Sequence, residues 1–147
     1  MPTPLLHVGL QAGPVAPADL PWDELTACGA EAQFVGRTRA QTHPEHGALL
    51  ALDYEAYEPM AARLLEQFAR EAAARHGAQA VRVLHSLGAV PVGAASVVIQ
   101  VASGHRAESF SACREVIERI KHELPVWKAE VWERGRTFAP GQPVTSA

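Results

Sequence analysis

Between Tyr57 and Ala72 the apolar residues fall on one helical stripe. Tyr57, Met60, Ala61, Leu64, Leu65, Phe68, Ala69 and Ala72 stand at i, i+3, i+4, i+7, i+8, i+11, i+12 and i+15. Arg63, Glu66, Gln67, Arg70 and Glu71 occupy the opposite side. A stripe this long predicts an amphipathic helix that must cover another apolar layer, with Gly77 as its stop.

The covering layer is found on both sides of that helix. Ala94 to Ala102 is rich in valine and isoleucine and reads as a buried strand. Leu5 to Leu10, Ala30 to Arg39, Ala48 to Tyr54, Ala80 to Leu87 and Val126 to Trp132 read as further strands, and Thr137-Phe138 as a last short one. Gly13 to Pro17 is a loop, because its prolines remove donors and fix the backbone. A brief helix opens at Asp19 or Pro21, runs through Trp22 and Leu25 and ends near Gly29. Ala40 to Gly47 is a polar loop, and Gly88 to Gly93 a turn. A second long helix is expected from near Gly104 to Leu124, with Phe110, Cys113, Ile117, Ile120 and Leu124 buried and Pro125 ending it. Pairs of neighbouring strands between helices give an α+β fold rather than regular βαβ alternation.

No repeat, low-complexity tract or linker divides the chain. We therefore expect one domain over 1–147, with residues 1–4 and 140–147 loose. No apolar run approaches the ~20 residues of a membrane span, and the start lacks the pattern of a signal peptide. The expectation is a cytoplasmic protein. Cys28 and Cys113 have no CxxC spacing and read as reduced, partly buried small hydrophobes.

The formal net charge of −3 gives no reason to expect nucleic acid or an anionic membrane as partner. An anion site must be a local cluster of bases. The base-rich places are Arg37-Thr38-Arg39 at a strand end, Ser103-Gly104-His105-Arg106 at a strand-to-helix turn, Lys121 near the end of the second helix, and Lys128 beyond Pro125. A helix start presents unpaired N–H groups to a phosphate, and arginine grips one with parallel hydrogen bonds. The bland alternative is that Ser103 caps the helix while His105 and Arg106 face water. Lys121 lies on the border of the buried stripe, where a packed stem and a partly desolvated amine suit proton transfer or charge stabilisation. Its bland alternative is a snorkelling lysine. Lys128 alone reads as a surface lysine. His43 and His46 share a loop with no third metal ligand in view, so metal binding there is disfavoured. His85 reads as a strand residue satisfied by a neighbour.

Several segments together resemble one family. Phe34-Val35-Gly36-Arg37-Thr38-Arg39 is similar to its F-x-G-[KR]-x-R run, and Leu52 to Met60 to its L-x-Y-E-x-Y-x-x-M junction. His85 to Gly88 resembles its H-R-[IV]-G turn, and Ser103 to Phe110 its S-x-H-R-x-x-x-F helix start. Ile120-Lys121 and Pro125 to Glu130 resemble L-K-x-x-x-P-[FIV]-W-K-x-E. The family is the large, catalytic subunit of molybdopterin synthase, and the resemblance runs in order from about residue 30 to 132. It implies an α/β hammerhead with an added small antiparallel sheet. It implies a homodimer binding two small ubiquitin-like sulfur carriers, hence a heterotetramer. The implied reaction moves sulfur from the carrier's C-terminal thiocarboxylate to cyclic pyranopterin monophosphate, making the molybdopterin dithiolene. By residue match Lys121 and Lys128 are the catalytic candidates. Arg37, Thr38, Arg39, His105, Arg106, Lys121, Lys128, Ala129 and Glu130 match the substrate-binding segments. No resident cofactor or metal is expected.

Chemistry then suggests roles. Arg39, His105 and Arg106 hold the phosphate, Lys121 meets the thiocarboxylate or the pterin side chain, and Lys128 assists from the other side. The cationic side chains are expected to converge on one guest, with Lys121 near His105. Ser86 stands where the family often has arginine, Ala40-Gln41 replaces a frequent asparagine turn, and an arginine often offered across the dimer has no secure match, Arg134 and Arg136 being the only candidates. The alternatives are a non-catalytic module that docks the carrier, and an unrelated phosphate-ester enzyme, which lacks a nucleophile, metal constellation or carboxylate pair.

Overall fold

The computed structural model describes residues 3–138; the expected loose tail, 140–147, and the first two residues lie outside them. Strands β1 (Leu5–Ala12), β2 (Ala30–Arg37), β3 (Thr42–His43), β4 (Gly47–Ala56), β5 (Ala80–Pro91), β6 (Ala95–Ser103), β7 (Val126–Trp132) and β8 (Gly135–Phe138) accompany helices α1 (Glu58–His76) and α2 (Arg106–Glu123). A single 3-10 turn, Trp22–Glu24, replaces the expected short helix. The α+β class is as the sequence implies.

The strands form one bent sheet in the order β2-β6-β5-β4-β7-β8. β1 joins β5 in parallel, and the other pairings are antiparallel. Both helices cover one face of the β1-β5-β6-β2 half. There Leu65 and Phe68 of α1 and Val116 of α2 are fully buried against Val83, Ile99 and Val101. Each such side chain contributes about 1.5–3 kcal/mol on leaving water.

The opposite face is closed by the loop after β1, whose Val15, Leu20 and Leu25 pack on Leu84, Val98 and Ala102. Gln100 pins this loop from the middle of β6. Its Oε1 accepts from the Ala18 N–H at 3.0 Å and its Nε2 donates to the Ala18 carbonyl at 2.6 Å. Arg82 Nη1 donates to the same Oε1 at 2.9 Å.

Two expectations are corrected. Gly88 to Gly93 was to be a turn, but β5 continues to Pro91. Gly88 takes φ +78°, which only glycine adopts freely, and so bends β5 off its first partners. Its first half pairs with β1 and β6, and its second half, Gly88 to Pro91, pairs with β4. The seam between the two half-sheets therefore lies inside one strand. The second correction concerns the apolar stripes. Tyr57, Met60 and Phe110 are 58%, 40% and 65% exposed. They obey the helical period but stay open to solvent. Ser109, Ala112 and Val116 join the expected Cys113 and Ile120 on the buried face of α2.

Candidate functional site

At the seam lies a cleft of about 400 Å³ whose lining includes Arg37, Arg39, Lys121 and Lys128. Each cation arrives by a different local device. β2 loses register between Gly36 and Arg37, and such a bulge re-aims the side chains that follow. Gly36 is required there, because a Cβ would sit 2.6 Å from Val97 Cγ1. Thr38 then rivets the segment. Its N–H donates to the Ala94 carbonyl at 3.0 Å, its carbonyl accepts from Gly93 N–H at 2.8 Å, and its hydroxyl donates to the Val90 carbonyl at 3.0 Å. Arg37 reaches the Gly93 carbonyl at 2.9 Å, and Arg39 projects from the exposed side of the rivet.

Lys121 is in the last turn of α2 beside Ile120, which is buried. Lys128 comes from β7, where Tyr54 of β4 faces it across the ladder. Alternation along these strands sends Leu52, Tyr54 and Lys128 to the cleft. Asp53, Glu55, Trp127 and Ala129 line a second groove of about 260 Å³ on the other face.

Among the described residues no carboxylate lies within ion-pair distance of Arg37, Arg39, Lys121 or Lys128. Partial burial lowers the pKa of Lys121, and the charge of Lys128 lowers it further. Burial also lowers that of Lys128; Glu130 works against this and Arg39 with it. The cleft thus holds cations at close quarters in partly dehydrated surroundings, a state that an anionic guest relieves.

Not every sequence candidate enters the cleft. Thr38 is buried, and its polar groups are spent on the rivet that sets where Arg37 and Arg39 leave the strand. Ala129 points to the opposite face. Glu130 accepts from Thr137 Oγ1 at 3.2 Å, which itself accepts from Trp132 Nε1 at 2.8 Å, so this carboxylate is anchored beside Lys128. His105 and Arg106 are exposed at the opposite end of α2 from Lys121. Fifteen residues at 1.5 Å rise separate Arg106 from Lys121 by about 22 Å. The expected meeting of Lys121 with His105 does not occur within one chain, because α2 is a straight spacer between them. At that helix start Ser103 Oγ donates to the His105 carbonyl at 2.6 Å and pairs with Ser109 Oγ at 2.5 Å, rather than capping a backbone N–H.

Tyr54, Ser96 and Phe34 line the cleft although no role follows for them from the sequence. Burial pushes the pKa of Tyr54 up, and the Ser96 side chain beside it works against this. Strand alternation, and Ser96 standing polar beside the valines of β6, are the signals that point to them. His43 Nδ1 accepts the N–H groups of Glu45 and His46 at 3.0 and 3.2 Å, a turn clasp. Both cysteines are free thiols, and burial pushes Cys113 to about 11.

Comparison with known proteins gives concordant results. Residues 11–123 match the family model described as MoaE protein. A protein of Oryza sativa subsp. indica named molybdopterin synthase catalytic subunit is 43% identical over 112 residues, covering 76% of this chain and 57% of that protein. This chain therefore spans less than two thirds of that relative. One of the same name from Bacillus subtilis is 37% identical, with 84% of this chain and 78% of the relative covered. The crystal structure of molybdopterin synthase from Staphylococcus aureus superposes with a TM-score of 0.73 at 29% identity, covering 95% of this chain and 98% of that one. A complex of subunits 1 and 2 of molybdopterin-converting factor from Helicobacter pylori shares the fold, with a TM-score of 0.70 at 23% identity and coverage of 92% and 91%.

Proposed function

Because this chain belongs to the MoaE protein family, we propose that it is the catalytic subunit of a molybdopterin synthase. It takes sulfur from the C-terminal thiocarboxylate of a small ubiquitin-like carrier and delivers it to cyclic pyranopterin monophosphate. Two sulfurs, one per carrier visit, complete the dithiolene. The observation that carries this reading is a cleft bearing Arg37, Arg39, Lys121 and Lys128 with no carboxylate partner among the described residues. Both reactants are anions, and the chain as a whole is not basic.

Within the cleft Arg39 takes the phosphate, with Arg37 beside it at the mouth. Lys121 stabilises charge on the thiocarboxylate as its carbon–sulfur bond is exchanged, and Lys128 assists from the facing strand. Glu130 works against the lowering of the Lys128 pKa. His105 and Arg106 join the phosphate site only when a second copy of the chain brings them, which makes the homodimer, and with two carriers the heterotetramer, part of the mechanism. The setting is cytoplasmic; no helix of the described residues is long and apolar enough to cross a membrane.

The test is to mix the purified chain with thiocarboxylated carrier and the pterin phosphate. Dithiolene product is expected. A stable complex with the carrier but no product would instead make the chain a docking module.

A further inference from the structure

His43 and His46 take no part in the cleft, but they close a joint between two hairpins. The turn Pro44 to His46 links β3 to β4, and the turn Glu133-Arg134 links β7 to β8. The two turns are laced together. Arg134 N–H donates to the His46 carbonyl at 2.8 Å, and Glu133 N–H to the Ala48 carbonyl at 2.9 Å. Ala48 N–H donates to Glu133 Oε1 at 2.8 Å, and His46 Nδ1 lies 2.7 Å from the Arg134 carbonyl. Two glycines admit this approach. A Cβ on Gly135 would sit 2.8 Å from His46 Nδ1, and one on Gly47 2.6 Å from Glu133 Oε1.

Hydrogen bonding assigns the two rings opposite tautomers. The Arg134 carbonyl can only accept, so His46 Nδ1 carries a hydrogen. His43 Nδ1 instead receives the N–H groups of Glu45 and His46 at 3.0 and 3.2 Å, so it is a lone pair and the hydrogen stands on Nε2. Adding a proton leaves the His46 bond intact. At His43 it abolishes both bonds, because an imidazolium donates from both nitrogens and accepts at neither, whichever way the ring is turned. The rings also stack, with centroids 4.4 Å apart and planes at 28°, so charge on one opposes charge on the other. The groups around His43 are Glu45 and His46 of its own turn, Trp132 of β7 at 5.2 Å between centroids, and Glu133 and Arg134 of the opposing turn, which flank its ladder partner Gly47. Among the described residues no carboxylate lies within ion-pair distance of either ring. Nothing in the closed turn therefore compensates a proton on His43.

We propose that His43 is a pH-operated latch. Neutral, it folds the β3–β4 turn into the shape that presents His46 to Arg134. Protonated, it releases the N–H groups of Glu45 and His46, and the joint between the two hairpins loosens. A histidine changes charge between about pH 5 and 8, so the latch works at the pH of living compartments. The joined segments also line the cleft, through Gln41 just before β3, Tyr54 of β4 and Lys128 of β7. The latch is independent of the reaction proposed for that cleft, and its test needs no substrate.

The whole chain, labelled with nitrogen-15, is followed by NMR from pH 8 to pH 5. At pH 8 the ring nitrogen shifts of His43 should show the hydrogen on Nε2. Amide hydrogen exchange, corrected for the intrinsic effect of pH, should then show protection at Glu45 and His46 falling about tenfold or more in step with the titration of the His43 ring. In His43→Asn the side-chain oxygen takes the place of Nδ1 as acceptor and does not titrate, so protection at both amides should persist to pH 5. A hydrogen on Nδ1 of His43 at pH 8 overturns the proposal. So does protection that survives titration of the ring, or the same loss in His43→Asn. Should that variant fail to fold, the first two measurements on the natural protein decide alone.

Discussion

Arg119 and Lys121 stand two residues apart on α2 and lead opposite lives. Arg119 is enclosed by partners. Its guanidinium bonds Glu71 of α1 at 2.5 Å and Glu123 at 3.0 Å, and lies 4.4 Å above the centre of the Phe68 ring. Nearby, Arg75 and His76 of α1 both engage Glu115 of α2. Among the described residues Lys121 pairs with no carboxylate, and it shares the cleft with Lys128 and Arg39 instead. One helix thus carries a cation committed to joining two helices and a cation left unneutralised. Position on the helix decides which. Arg119 faces the α1–α2 seam, where the other wall is helical and acidic. Lys121 faces the seam of the bent sheet, where the other walls are strands bearing bases. A cation that folding leaves unpaired in a crevice is available to a guest.

The strongest test of this contrast is to remove each charge in turn. Lys121→Ala should lower dithiolene formation by about a hundredfold or more, while carrier binding and the melting temperature hold. Normal product formation by that variant would defeat the assignment of Lys121.

Arg119→Ala should do the reverse. Loss of a part-exposed ion pair and its ring contact should cost about 1–2 kcal/mol in urea unfolding, a small figure because water screens the carboxylates. Turnover at saturating substrate should be kept. If Arg119→Ala instead abolishes turnover without loss of stability, the division between the two cations is wrong.

Acid should dissolve only the committed side. Burial alone would raise the pKa of Glu115, but Arg75 and His76 outweigh it, so the folded value lies below the ordinary 4.5. Glu71 is likewise lowered, mainly by Arg119. A carboxylate lowered in the folded state stabilises it fully above its unfolded pKa, and that contribution is lost as pH falls through the folded value. Unfolding monitored from pH 6 downward (about 4.5 being the unfolded carboxylate range) should therefore show stability declining below that range. Glu115→Gln should flatten this decline. A variant as acid-sensitive as the natural protein would show that the α1–α2 pairs contribute nothing.

The two sides were unequally legible in the sequence. The helices followed from periodicity, and Pro125 and Gly77 marked their ends where the structure has them. Lys121 was noticeable because it borders a buried stripe. Arg119 was not, because its worth depends on Glu71, 48 residues away on the other helix. Thr38 looked like a ligand-facing neighbour of Arg37 and Arg39, and only the bulge at Gly36 and the backbone of the β5–β6 turn reveal it as a rivet. Phe110 and Met60 fit the period yet lie in the open, since periodicity gives a direction on the helix and not what covers it. His105 and Arg106 share a helix with Lys121, and nearness in motif order concealed a separation of about 22 Å.

The finest distinction is within the unpaired set itself. Lysines whose folded pKa is lowered oppose folding while protonated, and this cost disappears as pH rises through the folded value toward the ordinary 10.5. Burial is the larger cause for Lys121, and the charge of Lys128 is the smaller. Lys128→Gln removes only the smaller cause. The pH profile of reductive methylation at Lys121 should then move to higher pH by a fraction of a unit and still fall short of an exposed lysine's in the same protein. Lys121→Met, measured at Lys128, should move that profile in the same direction, since repulsion between two charges acts on both. A shift at both sites separates a cleft of mutually repelling cations from two lysines that are merely buried. If Lys128→Gln leaves Lys121 unmoved, dehydration alone sets its reactivity, and the unpaired cations are neighbours without being coupled.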